Sequence, residues 1–159
     1  MTIEQPVMVP ITDELYRLVE DYIYEWRVES HGSRIKVPAG FISDGWSVPR
    51  WLWSVAGFRP DGIGRAAGLV HDYIYFCKGD LNRDPSKISW SYKLLAPQDP
   101  SGYDSCYVHL SHRKDWRPAI GRWSRKQADR LFAKMMKECG ISKSKRRMAY
   151  LGVRIGGRF

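Results

Sequence analysis

Ala66-Ala67-Gly68-Leu69-Val70-His71-Asp72-Tyr73-Ile74-Tyr75 is an apolar, small-residue stretch into which a His-Asp-x-x-Tyr cluster is set. Its pattern predicts a buried helix from about Ile63 to Cys77, on which Ile63, Ala67, Val70, Ile74 and Cys77 recur at i, i+4, i+7, i+11 and i+14. Gly64, Ala66 and Gly68 are small enough to let another backbone come close. At about 3.6 residues per turn, His71 and Tyr75 stack one turn apart, while Asp72 points about 100° away. Polar groups on a buried rod are costly unless they share hydrogen bonds or a metal ion. The cluster is therefore a functional site or a polar network that serves folding.

Upstream, Tyr22, Tyr24, Trp26 and Val28 alternate with Ile23, Glu25 and Arg27, the period-two pattern of a strand. Ser30-His31-Gly32-Ser33 reads as a turn into a second strand around Ile35 and Val37, which predicts a long hairpin. In Val37-Pro38-Ala39-Gly40-Phe41-Ile42-Ser43-Asp44-Gly45-Trp46-Ser47-Val48-Pro49-Arg50, prolines and glycines bracket a short apolar piece and end regular structure. Asp44 is thereby expected at a strand end or tight turn, a place where a scaffold presents side chains and where Asp-Gly also serves plain turn chemistry. Trp51, Leu52, Trp53 and Val55 form an apolar segment closed by Gly57 and Pro60-Asp61-Gly62, with Asp61 a candidate N-cap for the central helix.

Downstream, residues 78–122 hold many loop formers, with a strand pair expected near Ser89 to Leu95 and Tyr107 to Leu110. Ser124 with Gln127 reads as a capping box opening a helix whose buried stripe is Ala128, Leu131, Phe132, Met135 and Cys139, stopped at Gly140. Asp129 stands at the edge of that stripe. There it either answers the helix dipole or packs toward the central helix and orients the His71 imidazole, as a carboxylate does for a general base. A last helix, about Lys143 to Ile155, is expected to turn Met148, Leu151 and Ile155 inward and its Lys and Arg residues outward.

Composition narrows the function classes. The chain has 159 residues, 43% hydrophobic and 13% aromatic, enough for one domain with a core of its own, spanning residues 1–159. No apolar run reaches the roughly eighteen residues of a membrane span, and Met1 to Pro6 lacks the basic start and apolar core of a signal peptide, which predicts a cytoplasmic product. Cys77, Cys106 and Cys139 are odd in number and widely spaced, against disulfides and structural zinc. The net charge of +9 is concentrated in Lys143, Lys145, Arg146, Arg147, Arg154 and Arg158. Such a patch suits an acidic membrane surface, nucleic acid or an acidic subunit, and equally a face that only keeps the protein soluble. No nucleic-acid reading module accompanies it, so binding there would be non-specific charge.

Two resemblances emerge from these parts. Val37-Pro38-Ala39-Gly40-Phe41 with Asp44, Ser47, Val48 and Pro49, then His71-Asp72-Tyr73-Ile74-Tyr75, Ala128-Asp129, and Tyr150 with Val153, Arg154, Gly156 and Gly157 resemble a family of small proteins encoded mainly by bacteriophages. That resemblance covers most of the chain and implies a phage origin and a single compact domain, but carries no activity; the product is expected in the host cytoplasm, either staying free there or joining the virion. More remotely, Ala66-Ala67 before His71-Asp72-x-x-Tyr75, with a later helix bearing Ala128-Asp129-Arg130, is similar to the helix pair of phospholipases A2, particularly the cysteine-poor form in viral capsid proteins.

The phospholipase resemblance implies that His71 is the general base toward water, that Asp129 fixes its tautomer, that Tyr75 hydrogen-bonds Asp129, and that Asp72 is a calcium ligand. Calcium, a hard ion, would polarise an ester carbonyl without any Ser or Cys nucleophile. Backbone carbonyls from Val55 through Asp61 would complete its shell, with Asp44 approaching from the hairpin. The calcium-loop glycines are reduced here to Gly57 and Gly62, and Arg65 stands where the viral forms carry an acidic residue.

The expectation is an α+β domain, an N-terminal hairpin or small antiparallel sheet on a three-helix core. Its expected function is calcium-dependent hydrolysis of phospholipid esters, with His71, Asp129 and Tyr75 catalytic and Asp72 and Asp44 on the metal. The alternative is a non-catalytic tail or baseplate protein that contacts other phage structural proteins through its seven tryptophans and nine tyrosines. A His-Asp metal phosphohydrolase fits less well, because such proteins are largely helical and this chain opens with strands.

Overall fold

The alternation of aromatic and polar residues at 22–28 builds the longest hairpin among the described residues. A computed structural model of the chain describes residues 3–13, 15–28, 31–44, 62–81, 116–118 and 121–156. Within them lie β1 (Met8–Pro10), β2 (Tyr16–Leu18), β3 (Tyr22–Val28), β4 (His31–Val37), β5 (Ile42–Ser43), α1 (Arg65–Phe76), β6 (Trp116–Pro118), α2 (Arg125–Glu138) and α3 (Lys143–Gly156). The architecture is α+β. Two small sheets, ordered β1-β2-β5 and β3-β4-β6, accompany the three helices. Their strands pair antiparallel except β4 with β6, which run parallel.

On β3, Tyr22, Tyr24 and Trp26 turn inward while Ile23 is 43% exposed. They meet like with like across the hairpin, since Tyr22 opposes Val37 and Tyr24 opposes Ile35. On the outer face, Glu25 opposes Arg34 and accepts a 2.7 Å hydrogen bond from it. The matched register runs to Val28 opposite His31, so His31, Gly32 and Ser33 belong to the strand rather than to the expected turn. Alternation sets register only through the inward face, and it left the polar tip of this hairpin unspecified.

The Pro38-Ala39-Gly40 turn then delivers the chain to the other sheet. Gly40 has φ +83°, a left-handed conformation that an L side chain disfavours by about 1 kcal/mol or more. Its N–H donates to Leu18 O at 2.8 Å, and Leu18 N–H donates to Phe41 O at 2.9 Å. This staple aligns Ile42 and Ser43 with Arg17 and Tyr16 as β5. Asp44 follows directly.

Helix α1 is buried on nearly every side, through Ala66, Ala67, Gly68, Leu69, Val70, His71, Tyr73 and Ile74. It begins at Arg65, with Gly64 as N-cap and no side-chain cap. Ile63, expected on its inner stripe, precedes the helix and is 60% exposed. Asp61, the apolar segment Trp51 to Val55 and the strands expected near 89–95 and 107–110 lie outside the described residues. Helix α2 opens on the complete Ser124–Gln127 capping box and buries Ala128, Asp129, Leu131, Phe132, Met135 and Met136. Gly140, at φ +79°, ends it.

Of the inner stripe expected on helix α3, Met148 packs against the core but the rest does not. Leu151 and Ile155 are 58% and 82% exposed, whereas Ala149, Gly152 and Val153 face the core. Small inward residues let α3 lie close to α2, and that gain in packing sets the rotation over the larger side chains. One hydrophobic cluster joins β3, β4 and all three helices, with Phe41 edge-on to Tyr73 at 5.3 Å and to Phe76 at 5.6 Å between ring centres. It packs α1 against α2 on one side and against β4 and β5 on the other.

Candidate functional site

Because consecutive helical residues diverge by about 100°, α1 sends His71 and Asp72 to different neighbours. His71 faces α2. Its Nε2 lies 2.9 Å from Asp129 Oδ1, and the Tyr75 hydroxyl, one turn on, donates to the same oxygen at 2.7 Å. Arg154 Nη1, reaching back from α3, donates to Asp129 Oδ2 at 2.9 Å. Asp129 has no exposed surface at all, so it sits inside the helical layer rather than at the stripe edge.

The electrostatics follow from these contacts. Burial opposes ionisation of Asp129, but hydrogen bonds from His71, Tyr75 and Arg154 outweigh it and hold the carboxyl below its usual range. Asp129 is therefore a carboxylate and only accepts, which places the shared proton on His71 Nε2. Burial lowers the His71 pKa, against the raising effects of Asp129 and Asp44, so the ring is neutral at neutral pH. Nδ1 is then a bare acceptor, and it is buried without a hydrogen-bond partner among the described residues. The ring packs against Tyr75 and Phe132, at 4.2 and 4.9 Å between centres and tilted by 34° and 45° to them. Burial, with the Asp129 hydrogen bond, pushes the Tyr75 phenol up to about 12, so it remains a donor.

Asp72 faces the sheets instead. Ser43 Oγ donates to its Oδ2 at 2.5 Å, and the carboxyl of Asp44 adjoins it within hydrogen-bonding reach. Burial and then the Asp44 charge raise the Asp72 pKa well above the carboxylate range, while the Ser43 bond opposes the rise. Two acids pressed together in this way share a proton or require a cation. The structure thus gathers His71, Tyr75 and Asp129 into one network and Asp72 and Asp44 into another. The charge of Asp44 acts on both.

Among the described residues the donor set around Asp72 consists of oxygens alone, which suits a hard divalent ion such as calcium. Among the described residues no group of three or more His, Cys, Asp or Glu side chains surrounds a common point. The carbonyls expected from Val55 to Asp61 lie outside the described residues.

Three participants were not among the expected site residues. Ser43 had a signal, because it shares the inward face of Phe41 two residues earlier. Arg125 had another: it lies one turn before Asp129 and hydrogen-bonds the Tyr75 hydroxyl. Arg154 was singled out only by the family resemblance, since nothing in the pattern of an exposed cation on α3 reports that its guanidinium reaches Asp129.

A family model described as protein of unknown function, DUF1353, matches residues 16–153. The chain belongs to the DUF1353 family. Neither a curated protein nor a solved structure matches it. The DUF1353 match encloses Ser43, Asp44, His71, Asp72, Tyr75 and Asp129, while Arg154 falls one residue past its end. Among the described residues no helix is long and apolar enough to cross a membrane.

Proposed function

We propose that this DUF1353 protein is a phage-encoded, calcium-dependent ester hydrolase of the phospholipase A2 type, carried on the particle and acting on membrane phospholipid. The observation that carries the reading is the buried neutral imidazole of His71, with Nε2–H committed to Asp129 and Nδ1 left bare. A general base needs that arrangement: a free lone pair on one nitrogen and a carboxylate behind the other to stabilise the imidazolium. Nδ1 takes a proton from water as the water oxygen attacks the ester carbonyl, and the imidazolium returns the proton to the departing alcohol oxygen. Tyr75 and Arg154 keep Asp129 ionised through this cycle. Asp72 and Asp44, with Ser43, would hold calcium, which when bound supplies an electrophile for the carbonyl and charge for the developing oxyanion.

The exposed basic residues Lys143 and Arg147 and the exposed Leu151 on α3 support an acidic lipid surface as the place of action. A tail or baseplate part with no catalysis would need neither a bare Nδ1 nor two abutting carboxyls. The test is fatty-acid release from phospholipid vesicles containing anionic lipid, in calcium and in chelator, by the wild type and by His71→Gln. Gln keeps a donor toward Asp129 but offers no base. Calcium-dependent release by the wild type, absent in the folded variant, supports the hydrolase. Equal release by both, or none by either, overturns it in favour of the assembly role.

A further inference from the structure

We propose that Arg154 is a positioning residue that holds the His71 imidazole in the tautomer with a bare Nδ1, acting through Asp129 and tying the last turns of α3 to the site. The inference rests on the hydrolase reading for its effect on turnover, but not for its effect on the ring.

The two oxygens of Asp129 have different partners. Oδ1 accepts from both His71 and Tyr75, whereas Oδ2 accepts from Arg154. The carboxyl has no exposed surface, so no oxygen of it can turn to water for compensation. Arg154 is itself anchored: Arg125 Nη2, at the start of α2, donates to its backbone carbonyl at 3.2 Å. The guanidinium enters from the exposed side of α3, with its own side chain 38% exposed, and caps the one carboxylate oxygen that α1 does not reach.

Removing that cap takes the cation from Oδ2 and leaves the carboxylate to the two donors on Oδ1. The least costly response is for Asp129 to take up a proton. A protonated carboxyl donates as well as accepts, and with its proton turned to His71 it makes Nε2 the acceptor. The imidazole must then carry its hydrogen on Nδ1, and the lone pair that faced away from Asp129 is gone. Neither His71 nor Asp129 has changed, yet the base is lost. An ordinary surface ion pair would have no such effect, because a solvent-screened contact can be deleted with little consequence for a ring two residues removed in the network.

The experiment is heteronuclear NMR of imidazole-15N-labelled protein at neutral pH, which reads from the ring nitrogen shifts and couplings which nitrogen is protonated. It compares the wild type, Arg154→Lys and Arg154→Gln. Backbone amide spectra of the same samples confirm that each variant is folded. The wild type and Arg154→Lys are expected to show His71 protonated on Nε2, and Arg154→Gln to shift toward Nδ1–H, with ester hydrolysis reduced about 100-fold, the size of a general-base contribution. An unchanged tautomer in folded Arg154→Gln overturns the proposal. So does the same shift in Arg154→Lys, because it is the positive charge at Oδ2 that keeps Asp129 ionised. Failure of the hydrolase reading is separately visible: a wild type that releases no fatty acid while its His71 tautomer still follows Arg154 refutes that reading and leaves this one standing.

Discussion

Replacing Tyr75 by Phe tests the network at a point where no cavity is created and no ring is moved. The variant removes one donor, the hydroxyl that lies 2.7 Å from Asp129 Oδ1, and leaves His71 on that oxygen and Arg154 on the other. Burial is the larger cause of the raised phenol pKa, but it contributes nothing near neutrality, where the phenol is uncharged in both folded and unfolded chains. The main loss is the hydrogen bond to the buried charge of Asp129; the bond that Arg125 makes to the same hydroxyl goes with it and adds to the effect. Such bonds contribute about 1.5–3 kcal/mol, and the half-buried position of Tyr75 puts this one near the lower limit, about 1.5 kcal/mol. With a urea slope of about 2 kcal/mol/M for a chain of this size, the midpoint should fall by about 0.7 M. Tryptophan fluorescence at pH 7 reads the transition, and a cycle with Asp129→Asn isolates the pair. A midpoint shift below about 0.2 M, or strict additivity in the cycle, would refute the charge-assisted bond. The sign at high pH is a further check. Because the folded phenol titrates near 12 against 10.0 for a free one, its contribution is complete below pH 10 and declines as pH rises toward 12, a decline absent from Tyr75→Phe.

Two further outcomes follow from the other titrating groups. Burial lowers the folded pKa of His71 from 6.5, so the unfolded chain binds the extra proton below that pH; thermal stability should be full above 6.5 and fall as pH drops toward the folded value. His71→Gln should lack this limb, and an identical profile between pH 8 and 5 would exclude a buried neutral ring. Asp72 carries the opposite sign, because its raised pKa means a cost that accumulates as pH climbs above 3.8. In chelator at pH 7, Asp72→Asn should melt a few degrees higher than the wild type. Calcium at about 100 times its dissociation constant should stabilise the wild type by about 2.7 kcal/mol and the variant not at all. A calcium-induced shift that survives in Asp72→Asn would place the ion elsewhere.

Legibility in the sequence followed the physics that each residue type obeys. Tyr22, Tyr24 and Trp26 announced a strand because one face of a hairpin must be apolar, and Ser124 with Gln127 announced a helix start because that pair satisfies backbone donors locally. Helix α3 defeated the same reasoning. Large apolar residues were expected inward, but Ala149, Gly152 and Val153 permit the closer approach, and Leu151 and Ile155 are left outside. The register of β5 was equally hidden, since Ile42–Ser43 is held by Leu18 and Gly40 backbone groups that no periodicity reports. Within the site, His71, Asp72 and Tyr75 stood out because polar groups interrupt an apolar helix. Arg154 did not, because a long cation on an exposed face looks the same whether or not its tip is engaged.

The site also explains why α1 opens on small residues and is buried along most of its length. A helix with one solvent face would present either His71 or Asp72 to water, and the two networks would not both be desolvated. Burial on both sides puts the imidazole against α2 and the carboxyl against Ser43 and Asp44, while Ala66, Ala67 and Gly68 let the neighbouring layers come close enough for 2.9 Å and 2.5 Å contacts. The cost is a helix with no side-chain N-cap and no acidic residue in its first turn, stabilised by packing rather than by its own termini. Enlarging Ala67, which is fully buried, would force the packed layers apart and disturb hydrogen bonds several residues away. The geometry of the polar groups is in this sense set by the apolar ones. A loss of the His71 Nε2–H signature in a folded Ala67→Val variant would show that dependence directly.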